Sequence, residues 1–207
     1  MTQPVPTNPM QASSKPELRR MLRQRLATLD PAVRHAQSVL AADRVVATPE
    51  WQRAQTVMLF LPLPDEIETA PLAYRAWQAG KTVVVPSISD PQQRRMIPVQ
   101  ITSLAQEALK QAHYGVREPS AVKPVPVETI NFALVPGLGF SRRGERIGRG
   151  LGYYDRFLAQ ETFSGITCGL AFSVQVLDAL PADDRDQPVD LLATELELLR
   201  FGGGLVG

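Results

Sequence analysis

The chain has 207 residues, a formal net charge of +1 at pH 7 and one cysteine, Cys168. The length is that of a single domain, the balanced charge argues against a nucleic-acid partner, and one cysteine excludes an internal disulfide or a cysteine-only metal site. No apolar run is long enough to cross a bilayer, and the polar, proline-rich residues 1–14 lack the hydrophobic core of a secretory signal.

These features predict a monomeric, cytoplasmic protein with no membrane partner and no nucleic-acid partner. We expect a disordered tail over residues 1–14, a single domain over 15–200 and a flexible tail over 201–207. Cys168 lies in an apolar run, which favours a buried structural thiol.

Two helices are predicted at the start of the domain. Apolar residues three and four apart indicate a helix over 15–29, and Asp30-Pro31 has the capping residues of a second helix that ends near Ala47. Lys15 and Arg19 are four residues apart, so both project from one side of the first helix. They could reach a bound polyphosphate, or they could belong to a solvated basic face.

Strands and helices then alternate along the chain. Apolar runs predict strands over 56–61, 82–86, 96–101, 132–135, 165–172 and 189–194. Helices are predicted over 70–79, 104–110, 152–160 and 173–180. This alternation is typical of an α/β fold with a doubly wound, mostly parallel sheet and helices on both faces, a Rossmann-like three-layer sandwich.

An acidic cluster, Asp65-Glu66-Ile67-Glu68, follows the predicted 56–61 strand. In open α/β sheets, ligands bind beyond the carboxyl ends of the strands, so a carboxylate at this position can face a binding cleft. The alternative is the first turn of a helix, where carboxylates lie near the positive end of the helix dipole.

A glycine- and arginine-rich stretch lies between the 132–135 strand and the next helix. It runs Ser141-Arg-Arg-Gly-Glu-Arg-Ile-Gly-Arg-Gly-Leu-Gly-Tyr-Tyr-Asp155. Glycines let the main chain approach a ligand, backbone N–H groups at a helix start favour an anion, and arginines suit phosphate. The spacing is not that of a Walker A loop or a dinucleotide fingerprint. A solvated, mobile loop is the alternative.

Three further residues are candidates for a site. Asp155 ends the glycine-rich stretch with the hard oxygen ligand that magnesium prefers. Asp190 is the one charge in the apolar surroundings of the last predicted strand, so it should have a cation or several donors as partners. Tyr114 could stack on a planar ligand, although a single aromatic residue is more often a packing residue.

In their order and spacing, these pieces resemble the 5-formyltetrahydrofolate cyclo-ligase family, also called the methenyltetrahydrofolate synthetases. The resemblance covers nearly the whole chain, residues 15–195. The matching motifs are Lys15-x-x-x-Arg19, Phe60-Leu61, Asp65-Glu-Ile-Glu-Thr69, Val135-Pro-Gly-Leu-Gly-Phe140, Gly144-x-Arg146-Ile-Gly-x-Gly-x-Gly-Tyr-Tyr-Asp-Arg156, Ala171-Phe172-x-x-Gln175, Val189-Asp190 and Thr194-Glu195.

The resemblance implies an ATP- and Mg²⁺-dependent ligase that converts 5-formyltetrahydrofolate to 5,10-methenyltetrahydrofolate and releases ADP and phosphate. It implies a small-molecule partner, a reduced folate with or without a polyglutamate tail. The residues that it assigns to ATP are Lys15, Arg19, Arg146, Ile147, Gly148, Arg149, Gly150, Leu151, Gly152, Tyr153 and Tyr154. Those assigned to the folate are Phe60, Leu61, Glu66, Tyr114 and Tyr153. Those assigned to catalysis are Arg146, Arg149 and Tyr153, and those assigned to magnesium are Asp155 and Asp190.

One position, Leu151, departs from the family pattern. Leu151 stands where some relatives carry lysine, so Arg146 or Arg149 must supply the charge.

The rivals are another phosphate-binding α/β enzyme, such as a sugar-phosphate isomerase or an acyl-CoA transferase relative, and a non-enzymatic folate or RNA binder. The cyclo-ligase is favoured by two pairs of residues, the cations at 15 and 19 and the carboxylates at 155 and 190. Among these alternatives, only a site for a metal-bound triphosphate needs the cations and the carboxylates together.

Overall fold

A computed structural model describes residues 14–112 and 115–201 of the chain. The predictions for the tails, and the prediction for Tyr114, therefore lie almost wholly outside the described residues. The helices are α1 (Lys15–Ala27), α2 (Pro31–Val46), α3 (Pro49–Arg53), α4 (Ala70–Gln78) and α5 (Tyr153–Leu158). The strands are β1 (Thr56–Met58), β2 (Thr82–Asp90), β3 (Arg95–Ile101), β4 (Leu109–Gln111), β5 (Arg117–Pro119), β6 (Phe132–Val135), β7 (Gly139–Ser141), β8 (Arg146–Ile147), β9 (Ile166–Leu170), β10 (Val176–Leu177), β11 (Leu191–Ala193) and β12 (Leu198–Arg200).

The central sheet has the strand order β12-β11-β9-β6-β1-β2-β3. The five strands from β11 to β2 are parallel to their neighbours, and the two edge strands, β12 and β3, are antiparallel. The predicted α/β class and the mostly parallel sheet are confirmed. Smaller sheets, β10-β7-β8 and β4-β5, lie beside the central one.

Alternate residues of the central strands pack on opposite faces of the sheet. Val57 belongs to a core cluster that contains residues of α1, α2 and α4, whereas Met58 belongs to a second cluster that contains Phe157 of α5. Strands buried on both faces read as continuous apolar runs, which is why β1 and β6 are visible in the sequence. The first face carries most of the helices, and α5 is the helix of the second.

Local sequence signals set the first two helices. Leu18, Leu22 and Leu26 recur every four residues and form the buried face of α1. Asp30 caps α2, because its Oδ1 accepts a hydrogen bond from the Ala32 backbone N–H at 2.8 Å. The buried leucines hold α1 against the rest of the domain, and Lys15 and Arg19 lie in the N-terminal part of this helix.

Two predicted helices are wrong. Residues 104–110 form a short 3-10 turn, Gln106–Ala108, that leads into β4, and residues 173–180 form another, Ser173–Gln175, that leads into β10. In both cases, pairing with another strand replaces the local helix: Leu109 pairs with Pro119 of the next strand, and Val176 pairs with Phe140 of β7. Tertiary pairing overrides weak helical propensity in such short segments. Within the described residues, no helix is long and apolar enough to cross a membrane.

Leu22→Ala tests the packing of α1 on the sheet. Leu22 is fully buried, so the loss of its side chain is expected to lower the free energy of unfolding by about 2–5 kcal/mol. Leu40→Ala is the matched control, because Leu40 on α2 is 51% exposed and its loss should change stability by less than about 0.5 kcal/mol. Equal effects in urea unfolding would contradict this account of α1.

Candidate functional site

A cavity of about 700 Å³ opens at the carboxyl ends of the central parallel strands. Phe60 and Leu61, just beyond β1, and Pro136 and Gly137, just beyond β6, contribute to its wall. This edge of an open α/β sheet is where ligands bind, and the volume falls in the range of about 300–1,000 Å³ typical of ligand pockets.

Most of the residues singled out in the sequence line this one cavity. They are Lys15, Arg19, Phe60, Leu61, Glu66, Arg146, Ile147, Gly148, Arg149, Gly150, Leu151, Gly152, Tyr153, Tyr154 and Asp155. Asp190 is not among the lining residues. The N-terminal helix, the acidic cluster and the glycine-rich stretch, which are far apart in the chain, therefore meet at one place.

Arg146 is the most deeply buried cation of the cavity. Its side chain is only 4% exposed, and its Nη2 lies 2.5 Å from Oδ1 of Asp155. The space that it occupies depends on two glycines: a Cβ on Gly137 would lie 3.1 Å from Arg146 Cγ, and a Cβ on Gly148 would lie 3.0 Å from its Nη1. A buried guanidinium is tolerated only with a partner, and Asp155 is that partner.

Two donors near this ion pair have no hydrogen-bond partner among the described residues. They are the Nε of Arg146 and the hydroxyl of Tyr154, and both atoms are buried. The Arg146 guanidinium carbon lies 6.0 Å from the centre of the Tyr154 ring. Burial raises the pKa of Tyr154 far above its usual value, so its hydroxyl keeps its proton. Unpaired buried donors are costly, so these two groups lower the stability of the fold at a cavity-lining position.

The glycine-rich stretch is held in place from α1. The Nε of Arg19 donates to the carbonyl oxygen of Gly148 at 2.9 Å. Gly150 has φ +103°, a conformation that favours glycine, and a Cβ there would approach the Arg19 guanidinium at 3.4 Å. Arg19 therefore supports the main chain of the stretch in addition to lining the cavity.

Lys15 contacts an acidic segment that the sequence analysis did not include in the site. Its Nζ lies 2.9 Å from Oδ2 of Asp183 and 2.5 Å from Oδ2 of Asp186. Burial lowers the pKa of Lys15, but the hydrogen bonds and charges of Asp186 and Asp183 outweigh this and raise it, so Lys15 stays charged. Residues 183–187 all line the cavity. Their high density of aspartate was the available signal.

Arg149 points toward the acidic cluster after β1. Its Nε donates to Oε1 of Glu66 at 3.0 Å, and its Nη2 donates to Oδ1 of Asp65 at 2.6 Å. The structure thus joins the glycine-rich stretch to Glu66, which the sequence analysis had assigned to a different ligand. Asp65 does not line the cavity, and it belongs to the site only through its hydrogen bond with Arg149. No local sequence pattern indicates that contact.

The two predicted metal ligands have different surroundings. Asp155 lines the cavity, and its Oδ1 also accepts from the Gln187 backbone N–H at 3.3 Å. Asp190 itself is exposed immediately before β11, although its chain neighbours Val189 and Leu191 are buried. It does have the expected donors, because its Oδ2 accepts from the backbone N–H and the hydroxyl of Thr167 at 2.8 and 2.7 Å. Over residues 14–112 and 115–201, no group of three or more His, Cys, Asp or Glu residues could hold a metal ion.

The model of the 5-formyltetrahydrofolate cyclo-ligase family matches residues 11–195. The chain belongs to this family. It is 32% identical to 5-formyltetrahydrofolate cyclo-ligase of Mus musculus over 187 residues, which cover 86% of this chain and 92% of the relative. It is 29% identical to the enzyme of the same name from Escherichia coli K12 over 177 residues, 84% of this chain and 96% of the relative. The expectation of an enzyme of the ligase class is confirmed.

Solved structures agree with this family membership. The structure of Aquifex aeolicus 5,10-methenyltetrahydrofolate synthetase matches with a TM-score of 0.79 and 30% identity, and the match covers 93% of this chain and 95% of that one. A 5,10-methenyltetrahydrofolate synthetase from Mycoplasma pneumoniae matches with a TM-score of 0.71 and 23% identity over 88% and 99% of the two chains. The second likeness supports the fold alone. This cyclo-ligase fold places the cavity described above at the strand ends.

Tyr154→Phe tests the unpaired hydroxyl. Its removal takes away a buried donor that has no partner among the described residues, so the free energy of unfolding should be unchanged or higher by about 1 kcal/mol. Tyr74→Phe, at a side chain that is 57% exposed, is the control and should have no effect. A loss of more than about 1 kcal/mol in urea unfolding would mean that the hydroxyl has a structural partner.

Proposed function

We propose that this chain cyclises 5-formyltetrahydrofolate to 5,10-methenyltetrahydrofolate at the expense of ATP, which leaves as ADP and phosphate. The observation that carries the proposal is the convergence of Arg146, Lys15 and the glycine-rich stretch with Glu66 in one cavity. Membership of the cyclo-ligase family supports it. The same membership argues against the isomerase, acyl-CoA transferase and non-enzymatic binder alternatives.

The triphosphate is assigned to the end of the cavity formed by α1 and the glycine-rich stretch. Lys15 and Arg146 supply two charges at this end. Guanidinium groups bind phosphate oxygens with charge-assisted hydrogen bonds. Arg19 contributes by holding the Gly148 carbonyl and hence the course of the loop. The remaining loop residues, 147–154, also line the cavity.

The folate is assigned to the end formed by the residues that follow β1. Phe60 and Leu61 supply an apolar wall, and Tyr153 of α5 lines the same cavity. Glu66, whose side chain is 12% exposed, supplies a carboxylate for the N–H donors of the pterin. Buried carboxylates of this kind give orientation as well as affinity, because an unmatched ligand leaves them unpaired. Tyr114 stays a prediction outside the described residues.

A magnesium ion fits the residues at the triphosphate end. Mg²⁺ is commonly held by one or two carboxylates together with the substrate's phosphate oxygens, and Asp155 is a cavity carboxylate beside Arg146. The ion would supply charge neutralisation at the phosphates. Asp190 remains a ligand by resemblance only, because it is exposed and does not line the cavity.

The chemistry requires positioning more than a reactive side chain. The formyl carbon is a poor electrophile because nitrogen donates into the carbonyl group. Transfer of the γ-phosphoryl group to the formyl oxygen makes that oxygen a leaving group, N10 attacks the carbon, and phosphate departs. Arg146 and Arg149 are proposed to stabilise the charge on the transferring group, and Tyr153 to hold the folate against it. Alignment of the two substrates can itself contribute several kcal/mol, roughly 7–11 in the best cases.

The experiment is an absorbance assay for the methenyl product with purified protein, 5-formyltetrahydrofolate, ATP and Mg²⁺. We expect absorbance to rise only when all three small molecules are present, with one ADP formed per product. Omission of ATP or Mg²⁺ is the control. Bound ATP without product at any enzyme concentration would overturn the folate half of the proposal.

Asp155→Asn tests the assignment of the metal and the ion pair. The variant loses a carboxylate charge beside the buried Arg146, so we expect kcat to fall by about 10²–10³, with the Mg²⁺ requirement moved to higher concentration. The Kd of 5-formyltetrahydrofolate should change little, because Asp155 lies at the triphosphate end. Equal losses of turnover and folate binding would make Asp155 a structural residue.

Asp190→Asn, measured in parallel, separates the two predicted ligands. A shift in the Mg²⁺ requirement as large as that of Asp155→Asn would support Asp190 as a second ligand. An unshifted requirement would restrict the metal site to the cavity, in agreement with the exposed position of Asp190 and its bonds to Thr167.

A further inference from the structure

Arg149 forms a bridge between the two ends of the cavity. Its guanidinium donates to Glu66 Oε1 at 3.0 Å and to Asp65 Oδ1 at 2.6 Å, while its backbone lies in the glycine-rich stretch. These contacts of Arg149 with Asp65 and Glu66 are called the Arg149 bridge below. Asp65 has no role in the function proposed above, so its part in the bridge needs an explanation.

The bridge occupies the carboxylate assigned to the pterin. Oε1 of Glu66 accepts from Arg149, and Oε2 accepts from the Leu63 backbone N–H at 3.0 Å. Both oxygens of Glu66 thus have a donor from the protein. Arg149 takes up one acceptor position of Oε1 and neutralises negative charge that would otherwise attract the N–H groups of the pterin. Folate affinity is therefore lower while the bridge is closed.

The position of Arg149 also allows its guanidinium to bind a triphosphate. Arg149 lies between Gly148 and Gly150, in the stretch assigned to the triphosphate, and its side chain is 29% exposed and lines the cavity. Burial lowers the pKa of Arg149, but the charges and hydrogen bonds of Glu66 and Asp65 outweigh this and raise it, so the group is a full cation. A triphosphate carries more negative charge than two carboxylates, and guanidinium binds it well.

We propose that Asp65 is a positioning residue that holds Arg149 on Glu66, and that a bound nucleotide draws Arg149 to its phosphates and frees Glu66 for the pterin. The inference rests on the proposed function, because it takes a triphosphate and a pterin as the two ligands. Both ligands prefer the open bridge. Each therefore raises the affinity of the other by the same factor.

The size of the effect follows from the population of the open bridge. If the bridge is open in about one molecule in ten, either ligand alone binds about tenfold more weakly than to the open form, and the coupling factor is about ten. Asp65→Asn removes the charge of one of the two carboxylates that hold Arg149. If the open fraction then rises to about one half, each ligand alone binds about fivefold more tightly, and the coupling factor falls to about two.

The test is calorimetry on the full chain with a non-hydrolysable ATP analogue and Mg²⁺, with and without saturating 5-formyltetrahydrofolate. Glu68→Gln is the matched control. It removes a carboxylate from the same acidic cluster, but Glu68 pairs with His35 and does not line the cavity. We expect coupling of about tenfold in the wild type and in Glu68→Gln, and both tighter nucleotide binding and weaker coupling in Asp65→Asn.

Two results would overturn the inference. One is a wild-type protein in which the ligands bind independently; the other is an Asp65→Asn variant that melts like wild type but binds the nucleotide analogue no more tightly. If Asp65→Asn does not fold, Arg149→Lys replaces it. A single ammonium cannot reproduce the fork that joins two carboxylates, so unchanged coupling in that variant would also overturn the inference.

Failure of the proposed function gives a different result. If the wild type does not bind 5-formyltetrahydrofolate, the folate assignment is wrong. The nucleotide titrations of wild type, Asp65→Asn and Glu68→Gln then decide alone whether Asp65 restrains Arg149, because they require no folate.

Discussion

The buried ion pair of Arg146 with Asp155 is the interaction on which the site depends. The side chain of Arg146 is only 4% exposed, so its guanidinium requires a fixed counter-charge. Asp155, on α5, provides it with an Oδ1 that lies 2.5 Å from the Arg146 Nη2. The same arginine packs closely against Gly137, just beyond β6, and Gly148, just beyond β8, where a Cβ would lie 3.1 and 3.0 Å from its side chain. One charge therefore fixes three parts of the chain relative to each other, and the cavity wall follows from their arrangement.

Each of the main cavity cations has carboxylate partners, and in two of the three cases these come from a distant segment. Lys15 is paired with Asp183 and Asp186, and Arg149 with Asp65 and Glu66, whereas Arg146 uses the nearby Asp155. Such pairs orient the cations and keep the local charge near balance, in line with the small net charge of the chain. An anionic ligand then gains affinity only by replacing carboxylates, which favours ligands with several negative charges in the right geometry.

What the sequence predicts well are features with a local signal. The bounds of β6, the start of α1 and the cap of α2 follow from apolar spacing and from Asp30 and Pro31. The short strands β4 and β10 have no periodicity of their own and exist only through their partners, so 104–110 and 173–180 were predicted as helices. The pairs of Lys15 and Arg149 join residues more than eighty positions apart, and no local pattern specifies them.

Asp186 and Asp190 both precede β11, but only Asp186 lines the cavity. Asp190 comes immediately before a parallel strand, β11, and so lies at the edge where the strands begin, whereas the cavity lies where β1 and β6 end. Strand direction alone thus argued against placing Asp190 in the cavity. Asp186 lies in the segment that precedes β11 and returns from the cavity side, and its carboxylate reaches Lys15. A carboxylate that directly adjoins the start of a parallel strand therefore lies away from the cavity, whereas one further back in the preceding segment can reach it, so distance from the strand is as informative as residue type.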